Sequence, residues 1–363
     1  MEETKVLTEE ERKKRREERR KRKKYRLLIL LLLMFGTGVM LATSTYAWFT
    51  SNKTVSVNTL NVSIDAKNGI QISTDGTNWK SIVKTADITG ARATYAASVN
   101  QLPEILEPVS TGGVVNANGK LEMYYGTIET STSPTNNGEY ILTAVPDVEH
   151  DNNDPDTPGT NGKFIAFDLF FKVSQDTPIY LTPNSGVKTD GVDSGIKNAS
   201  RFAFIDLGTT ADGSALATIQ ALNTSGASSP TYIWEPNYSS HTAAGIANAN
   251  DVYKITTTDG GARVPYSGVI STIASSDDIL LGKATATENG TKFKDVTITY
   301  QTKTGFTHYV PIFSLRAGIT KIRIYMWVEG QDVDCENNAS GGSIDFDLQI
   351  TTEVPEGAAT TES

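Results

Sequence analysis

The chain has one cysteine, Cys335, in 363 residues. No intrachain disulfide can form, so the fold must hold on its core alone. Histidine is nearly as scarce, with only His150, His241 and His308. None of them sits in an H-E-x-x-H pattern, the spacing that puts two imidazoles on one helix face beside a glutamate base. All three read as loop or surface residues. There is no G-x-S-x-G elbow for a serine nucleophile, no G-x-x-x-x-G-K-[ST] phosphate loop and no G-x-G-x-x-G fingerprint. These absences argue against the common hydrolase, zinc-protease and nucleotide-binding chemistries, and the expectation is a chain that is not an enzyme. Internal repeats of solenoid length are also missing.

Charge is present but unevenly placed. The formal net charge is −9, yet residues 1–26 hold 13 basic and 7 acidic side chains, which leaves 20 basic and 35 acidic for the rest. An acidic body repels nucleic acid, so no nucleic-acid partner is expected. The head, "EEERKKRREERRKRKKYR", interleaves both signs at helical spacing and predicts a solvated charged helix. It abuts "LLILLLLMFGTGVMLATSTYA", and positive charge on that flank keeps the N-terminus in the cytoplasm.

Residues 27–49 are uncharged, and about 20 such residues span a bilayer. Gly36, Thr37, Gly38, Thr43, Ser44 and Thr45 dilute the second half, however. A short apolar core followed by small residues is a signal-peptide pattern, with Thr45 at −3, Ala47 at −1 and Trp48 opening the mature chain. The alternative is an uncleaved anchor helix. The expected organisation is a charged cytoplasmic region at 1–26, a signal or anchor at 27–47, a body at 48–353 and a disordered tail at 354–363. Either way the body lies outside the cytoplasm, at the cell surface or beyond. Signal peptidase is the partner during export, and the membrane is met through the N-terminal segment. Export without disulfides fits a bacterium that does not rely on oxidative folding. "TTEVPEGAATTES" shows no sorting signal, and "LPEIL" at Leu102 reads as a loop, so covalent wall anchoring is not expected.

The body is dominated by period-2 patterns. In "KFIAFDLFFKV", Ile165, Phe167, Leu169, Phe171 and Val173 share one face, and Asp168 and Lys172 the other. In "KIRIYMWVEG", Ile322, Ile324, Met326 and Val328 alternate with Arg323, Tyr325, Trp327 and Glu329; "SIDFDLQI" alternates in the same way. Such strands have one face in a core and one toward solvent. The expected fold is all-β, an antiparallel β-sandwich with long polar loops and few short helices. Helices are expected only within "TADITGARATYAASVNQL" and from Ser214 in "SALATIQALN". The loops fall at Thr130–Gly162, Pro183–Ser200 and Asn223–Pro230. At the start of the body Val55 and Val57 lie in one strand phase and Leu60, Val62 and Ile64 in the other, which requires a bulge, a bend or two strands near Asn58–Thr59. A terminal strand of this kind can pair with another chain's sheet edge.

The junction "STYAWFTSNKTVSVNTLNVSIDA" resembles the signal-to-mature boundary of the TasA/camelysin family, exported by SipW-type signal peptidases in Gram-positive bacteria. Ala47, Trp48-Phe49, the polar stretch Thr50–Thr54 and Thr59-Leu60-Asn61-Val62 carry the resemblance. "FIAFDLFFKV…IYLTP" and "IRIYMWVEGQDVDCENNASGGSIDFDLQI" are similar to Firmicutes proteins with the same export signal. The resemblance implies a jelly-roll-like sandwich and secretion to the surface or biofilm matrix. It also implies self-association, or association with other matrix proteins, as a fibre subunit that donates an N-terminal strand; Val55, Val57, Leu60, Val62 and Ile64 would be the donor residues. A camelysin-like surface metalloprotease and a monomeric adhesin on an uncleaved anchor are the alternatives.

No cofactor is expected. A structural calcium is the one metal reading, from Asp332, Asp334 and Glu336 in "DVDCENNASGG" or Asp151, Asn153 and Asp156 in "DNNDPDTPG". Neither fits an EF-hand loop, since the first lacks its Gly and Pro155 interrupts the second. Trp234 and Trp327, beside Glu235 and Glu329, read as core or rim packers before a sugar- or peptide-binding face. Cys335 reads as a tolerated thiol in a polar loop.

Overall fold

A computed structural model describes residues 55–65, 69–128, 140–145, 162–189, 194–224, 226–237, 241–246, 311–330, 332, 334–335 and 342–354, with short strands at 267–269, 279–280, 293–295 and 300–301. The chain divides into two units, 1–45 and 46–363; everything below concerns the second. Thr45, Ala47 and Trp48, and the whole charged and apolar N-terminal segment, lie outside the described residues. Among the described residues no helix is long and apolar enough to cross a membrane.

The strands in chain order are β1 Val55–Asp65, β2 Gln71–Ser73, β3 Ile82–Lys84, β4 Asn100–Gln101, β5 Ile105–Leu106, β6 Met123–Ile128, β7 Tyr140–Val145, β8 Ile165–Val173, β9 Thr177–Leu181, β10 Gly186–Thr189, β11 Ser200–Thr210, β12 Thr231–Glu235, β13 Ser267–Val269, β14 Ile279–Leu280, β15 Phe293–Asp295, β16 Tyr300–Gln301, β17 Phe313–Leu315, β18 Gly318–Val328 and β19 Ser343–Thr351. Two short helices, α1 Thr85–Gly90 and α2 Leu216–Gln220, lie within the two stretches expected to be helical. The polar insertions are less loop-like than their composition suggests: β7 falls in the first and β10 in the second.

The first sheet runs β17-β9-β19-β1-β3, with β10 also on β19 and β5 also on β1; the second runs β16-β12-β11-β18-β8-β2, with β4 on β8. The sheets are mixed rather than purely antiparallel, because β1 pairs parallel to β19 and β12 parallel to β16. One apolar core joins their facing sides. Leu60 and Val62 of β1 and Phe346 and Leu348 of β19 pack there with Phe167 and Leu169 of β8 and Ile322 and Ile324 of β18. Phe202 meets Phe346 edge to face at 5.4 Å between ring centres, a favoured aromatic geometry.

The phase change in β1 is a bulge: the register with β19 slips between Val57 and Thr59, so Val57 faces Ile344 and Leu60 faces Phe346. Val55, Leu60 and Val62 are thereby all buried, and Val57 is half-buried against the same core. Ile64 lies opposite Ile350 in the ladder.

The expectation of half-buried strands holds for β19, whose Asp345, Asp347 and Gln349 stay partly exposed. It fails for β8 and β18. Asp168, Arg323, Tyr325, Trp327 and Glu329 are all buried, because a second layer covers the far face of their sheet. Val99, Val109, Val115 and Leu121, from the stretch between β3 and β6, and Met123 at the start of β6 pack there on Ala203, Ile205, Tyr325 and Trp327. Farther along, Tyr95 and Ile219 of α2 pack on Phe170 and Ile319. Cys335 belongs to the core, not to a solvated loop.

Candidate functional site

Covering both faces of the β8–β18 sheet forces its charged residues to find partners inside the protein, because an unpaired buried charge is costly. Two clusters result.

The first centres on Asp168 of β8. Arg323, its cross-strand neighbour on β18, donates Nε to Oδ1 at 2.8 Å and Nη2 to Oδ2 at 3.4 Å. Lys321 Nζ lies 3.2 Å from Oδ2, and the Tyr95 hydroxyl donates to the same oxygen at 3.2 Å. Lys321 also donates to Tyr95 Oη at 2.6 Å. Burial pushes the Asp168 carboxyl up, but Arg323 and Lys321 outweigh it and hold it at about 2. Burial likewise lowers the Lys321 ammonium, against the attraction of Asp168. Every described group of this cluster is engaged, so it reads as a structural clamp.

The second cluster lies at the other end of β18. The antiparallel register sets Phe202 opposite Trp234 and Arg201 opposite Trp327, which brings Arg201 to the end of β12 and to the turn after β18. Glu235 Oε1 sits 2.6 Å from Arg201 Nη2, and Asp332 Oδ2 pairs with the same nitrogen. Arg201 Nη1 donates to the carbonyls of Asn198 and Ser200 at 2.7 and 3.0 Å. Asp332 Oδ1 accepts the Asp334 N–H at 2.8 Å, and Trp327 Nε1 donates to Glu329 Oε2 at 3.0 Å.

Asp334 ties in a third segment. Its Oδ1 accepts the Thr242 N–H at 2.9 Å and the Thr242 hydroxyl at 2.6 Å, while Oδ2 meets His241 Nδ1 at 2.7 Å and Asn198 Nδ2 at 3.2 Å. Gly195 has φ +93°, and a Cβ there would stand 2.8 Å from Thr242 Cγ2 and 3.3 Å from Asp334 Oδ1. Only glycine lets the backbone pass so close in that conformation.

Burial pushes Glu235 up to about 8; Arg201 opposes the rise and the charges of Asp332 and Glu329 add to it. Two carboxylates share the one Arg201 nitrogen, so its attraction does not cancel the effect of burial on Glu235. For His241, burial acts downward, but the Asp334 hydrogen bond and the charges of Asp332 and Asp334 win and raise it.

One donor atom from each of His241, Asp332 and Asp334 lies within 4.8 Å of the others. His241 is therefore not a surface histidine, since its side chain is 2% exposed. Asp332 and Asp334 do converge, as the acidic turn suggested, but on His241 and Arg201; Glu336 lies outside the described residues. So do Asp151, Asn153, Asp156, His150 and His308. Trp234 and Trp327 are core residues, and Glu235 and Glu329 are buried with them rather than forming a binding face. Arg201 and Asn198 escaped sequence reasoning as site residues, and Glu235 stood out only with Trp234 as part of a binding face, because only strand register brings them to the turn at 332–334.

A groove of about 420 Å³ lies elsewhere, beside β1, lined by Val57, Leu60, Leu102, Pro103, Ile105 and Ile165 among others. It lies beside β1 between the residues paired with β5, at 55–56, and those paired with β3, at 61–63, where the Val57 N–H donates to the Glu104 carbonyl at 2.8 Å and the Leu60 carbonyl accepts the Thr85 hydroxyl at 3.0 Å.

Comparison with known proteins returns no match: no family model fits the chain, and no curated protein or solved structure aligns with it.

Proposed function

We propose that the chain is an exported structural protein of the bacterial surface or biofilm matrix, a jelly-roll-like sandwich without enzymatic activity whose subunits join by exchange of β1. The placement of β1 carries this reading. It is the first described element of the body, it forms no hairpin with β2, and it fills a slot between β19 on one side and β5 and β3 on the other. Its longest ladder is with β19, late in the chain, and the β1 of a neighbouring copy satisfies the same ladder and buries the same side chains. Burial of Val55, Leu60 and Val62 is worth roughly 1.5–3 kcal/mol each. A strand passed head to tail makes a contact that does not close on itself, hence a filament. Resemblance of the junction to the TasA/camelysin family supports both export and strand donation.

The pairing of β1 within its own sheet favours a second reading, a monomeric adhesin carried on an uncleaved segment 27–47. A metalloprotease has less support: the one described histidine sits in a closed cluster, and no H-E-x-x-H pattern occurs in the chain. Mass spectrometry of the native N-terminus, combined with light scattering of the released protein, separates the readings. A chain starting at Trp48 that scatters as large assemblies supports strand exchange. A monomer retaining Met1 supports the adhesin.

A further inference from the structure

We infer that the cluster at the end of β18 is a proton-operated clasp: His241, gripped by Asp334 among buried carboxylates, pins residues 241–246 to the turn after β18 in mildly acid solution and releases them as the pH rises. Asp334 makes the grip. Its Oδ1 accepts the Thr242 N–H and hydroxyl, and its Oδ2 accepts from His241 Nδ1. Within the segment, the Gly245 N–H donates to the Thr242 hydroxyl and the Ile246 N–H to the Thr242 carbonyl, both at 3.0 Å. The segment is thus wound around Thr242, and the Asp334 carboxylate joins it to the turn.

Charge around that carboxylate is out of balance. Glu235 on β12, Glu329 just after β18, and Asp332 and Asp334 in the turn are four buried carboxylates, set against Arg201 on β11 and His241. Cys335 turns into the apolar core instead. Each oxygen of Asp332 and Asp334 already meets a protein donor, so protons on the other groups answer the excess. Two atoms are placed to carry them. Glu235 Oε2 and His241 Nε2 are buried and make no hydrogen bond, so each exchanges a proton without breaking a contact. On the imidazole the position is fixed, since Nδ1 is committed to Asp334 and Nε2 is left to titrate. An uncompensated buried charge is costly, and every proton lost here therefore weakens the docking.

Both groups act in the same direction. Burial lowers His241, but the Asp334 hydrogen bond and the charges of Asp332 and Asp334 raise it above its ordinary 6.5. Burial pushes Glu235 from 4.5 up to about 8. A raised histidine contributes fully below its unfolded value and loses that share as the pH climbs through its folded one; a raised carboxyl does the same. The clasp is therefore strongest in mild acid and weakens through neutrality to beyond pH 8, the reverse of the Asp168 cluster, whose depressed carboxyl acts below pH 4.

Hydrogen–deuterium exchange of the full chain in mild detergent and chelator, at pH 6 and pH 8.5 and corrected for the intrinsic pH dependence of exchange, reads the clasp at the amides of Thr242, Gly245 and Ile246. Protection there should fall about tenfold between the two pH values, the equivalent of one pKa unit, while the amides of β8 and β18 keep theirs. His241→Gln cannot take up the proton and should show low protection at both pH values. Glu235→Gln stays neutral and should lose less than wild type at pH 8.5. Equal wild-type protection at the two pH values overturns the inference, as does a fall shared evenly with β8 and β18. So does His241→Gln protection that still falls as in wild type or, where circular dichroism shows that variant unfolded, a Glu235→Gln fall as large as that of wild type. Protection restored at pH 8.5 by Zn²⁺ or Ca²⁺ would assign the clasp to a cation and likewise overturn it.

Discussion

Replacing Asp168 by Asn removes the charge that holds Lys321 and Arg323 inside the protein while keeping the size of the side chain. Asp168 is 2% exposed, and its two oxygens take donors from Arg323, Lys321 and Tyr95. Two routes give the cost. Breaking a buried ion pair by removing one partner destabilises by about 3–5 kcal/mol, because the remaining charge stays buried. The depressed carboxyl gives a second value: a fall from 3.8 to about 2 corresponds to roughly 2–3 kcal/mol of stability at neutral pH. The sign follows from the direction. A carboxyl whose pKa is lower in the folded state contributes its full share above its unfolded value, near pH 4, and loses it as the pH falls toward 2. Urea denaturation at pH 7 should show Asp168→Asn destabilised by about 3 kcal/mol, with the gap to wild type closing as the pH drops from 4 to 2. Asp347→Asn is the control: its partner Lys188 lies 3.7 Å away with a side chain 66% exposed, and such surface pairs contribute about 0–1 kcal/mol. Equal effects from the two substitutions would refute the clamp.

Two further outcomes follow from other parts of the chain. Ala47→Arg should block processing and leave a longer, membrane-associated form, because a small side chain is required at −1; immunoblotting of cell fractions reads this, and normal release of the variant would dismiss the cleavage site. Gly318→Ala should destabilise by about 1–3 kcal/mol, because Gly318 has φ +122° and a Cβ there would stand 2.3 Å from the Thr210 carbonyl oxygen. Thermal unfolding checks it, and an unchanged midpoint would mean that the start of β18 tolerates a side chain.

Much of the β architecture was legible because alternation reports the inward face of a strand directly. Leu60, Val62, Phe346 and Leu348 were all placed correctly, and the phase change at Asn58–Thr59 marked the bulge. Alternation is silent about what covers the other face. Asp168, Arg323 and Glu329 looked solvated because charge at alternate positions usually is, yet the layer from 95 to 123 and α2 buries them. The second cluster was half legible. Asp332 and Asp334 stood out as a turn with alternating carboxylates, but His241 lies more than ninety residues earlier in the chain, and Arg201 earlier still. Their meeting depends on β11 pairing with both β12 and β18, and period-2 patterns carry no information about register between distant strands.

The central claim is that β1 passes from one copy to the next. Electron microscopy of protein beginning at Trp48, at high concentration and beside its Leu60→Asp variant, tests it most directly. Strand exchange predicts filaments from the first and a folded monomer without filaments from the second, since the charge blocks entry of the strand into a neighbour. A wild type that remains monomeric, together with a Leu60→Asp chain that unfolds, would contradict the claim and assign β1 to its own subunit's core.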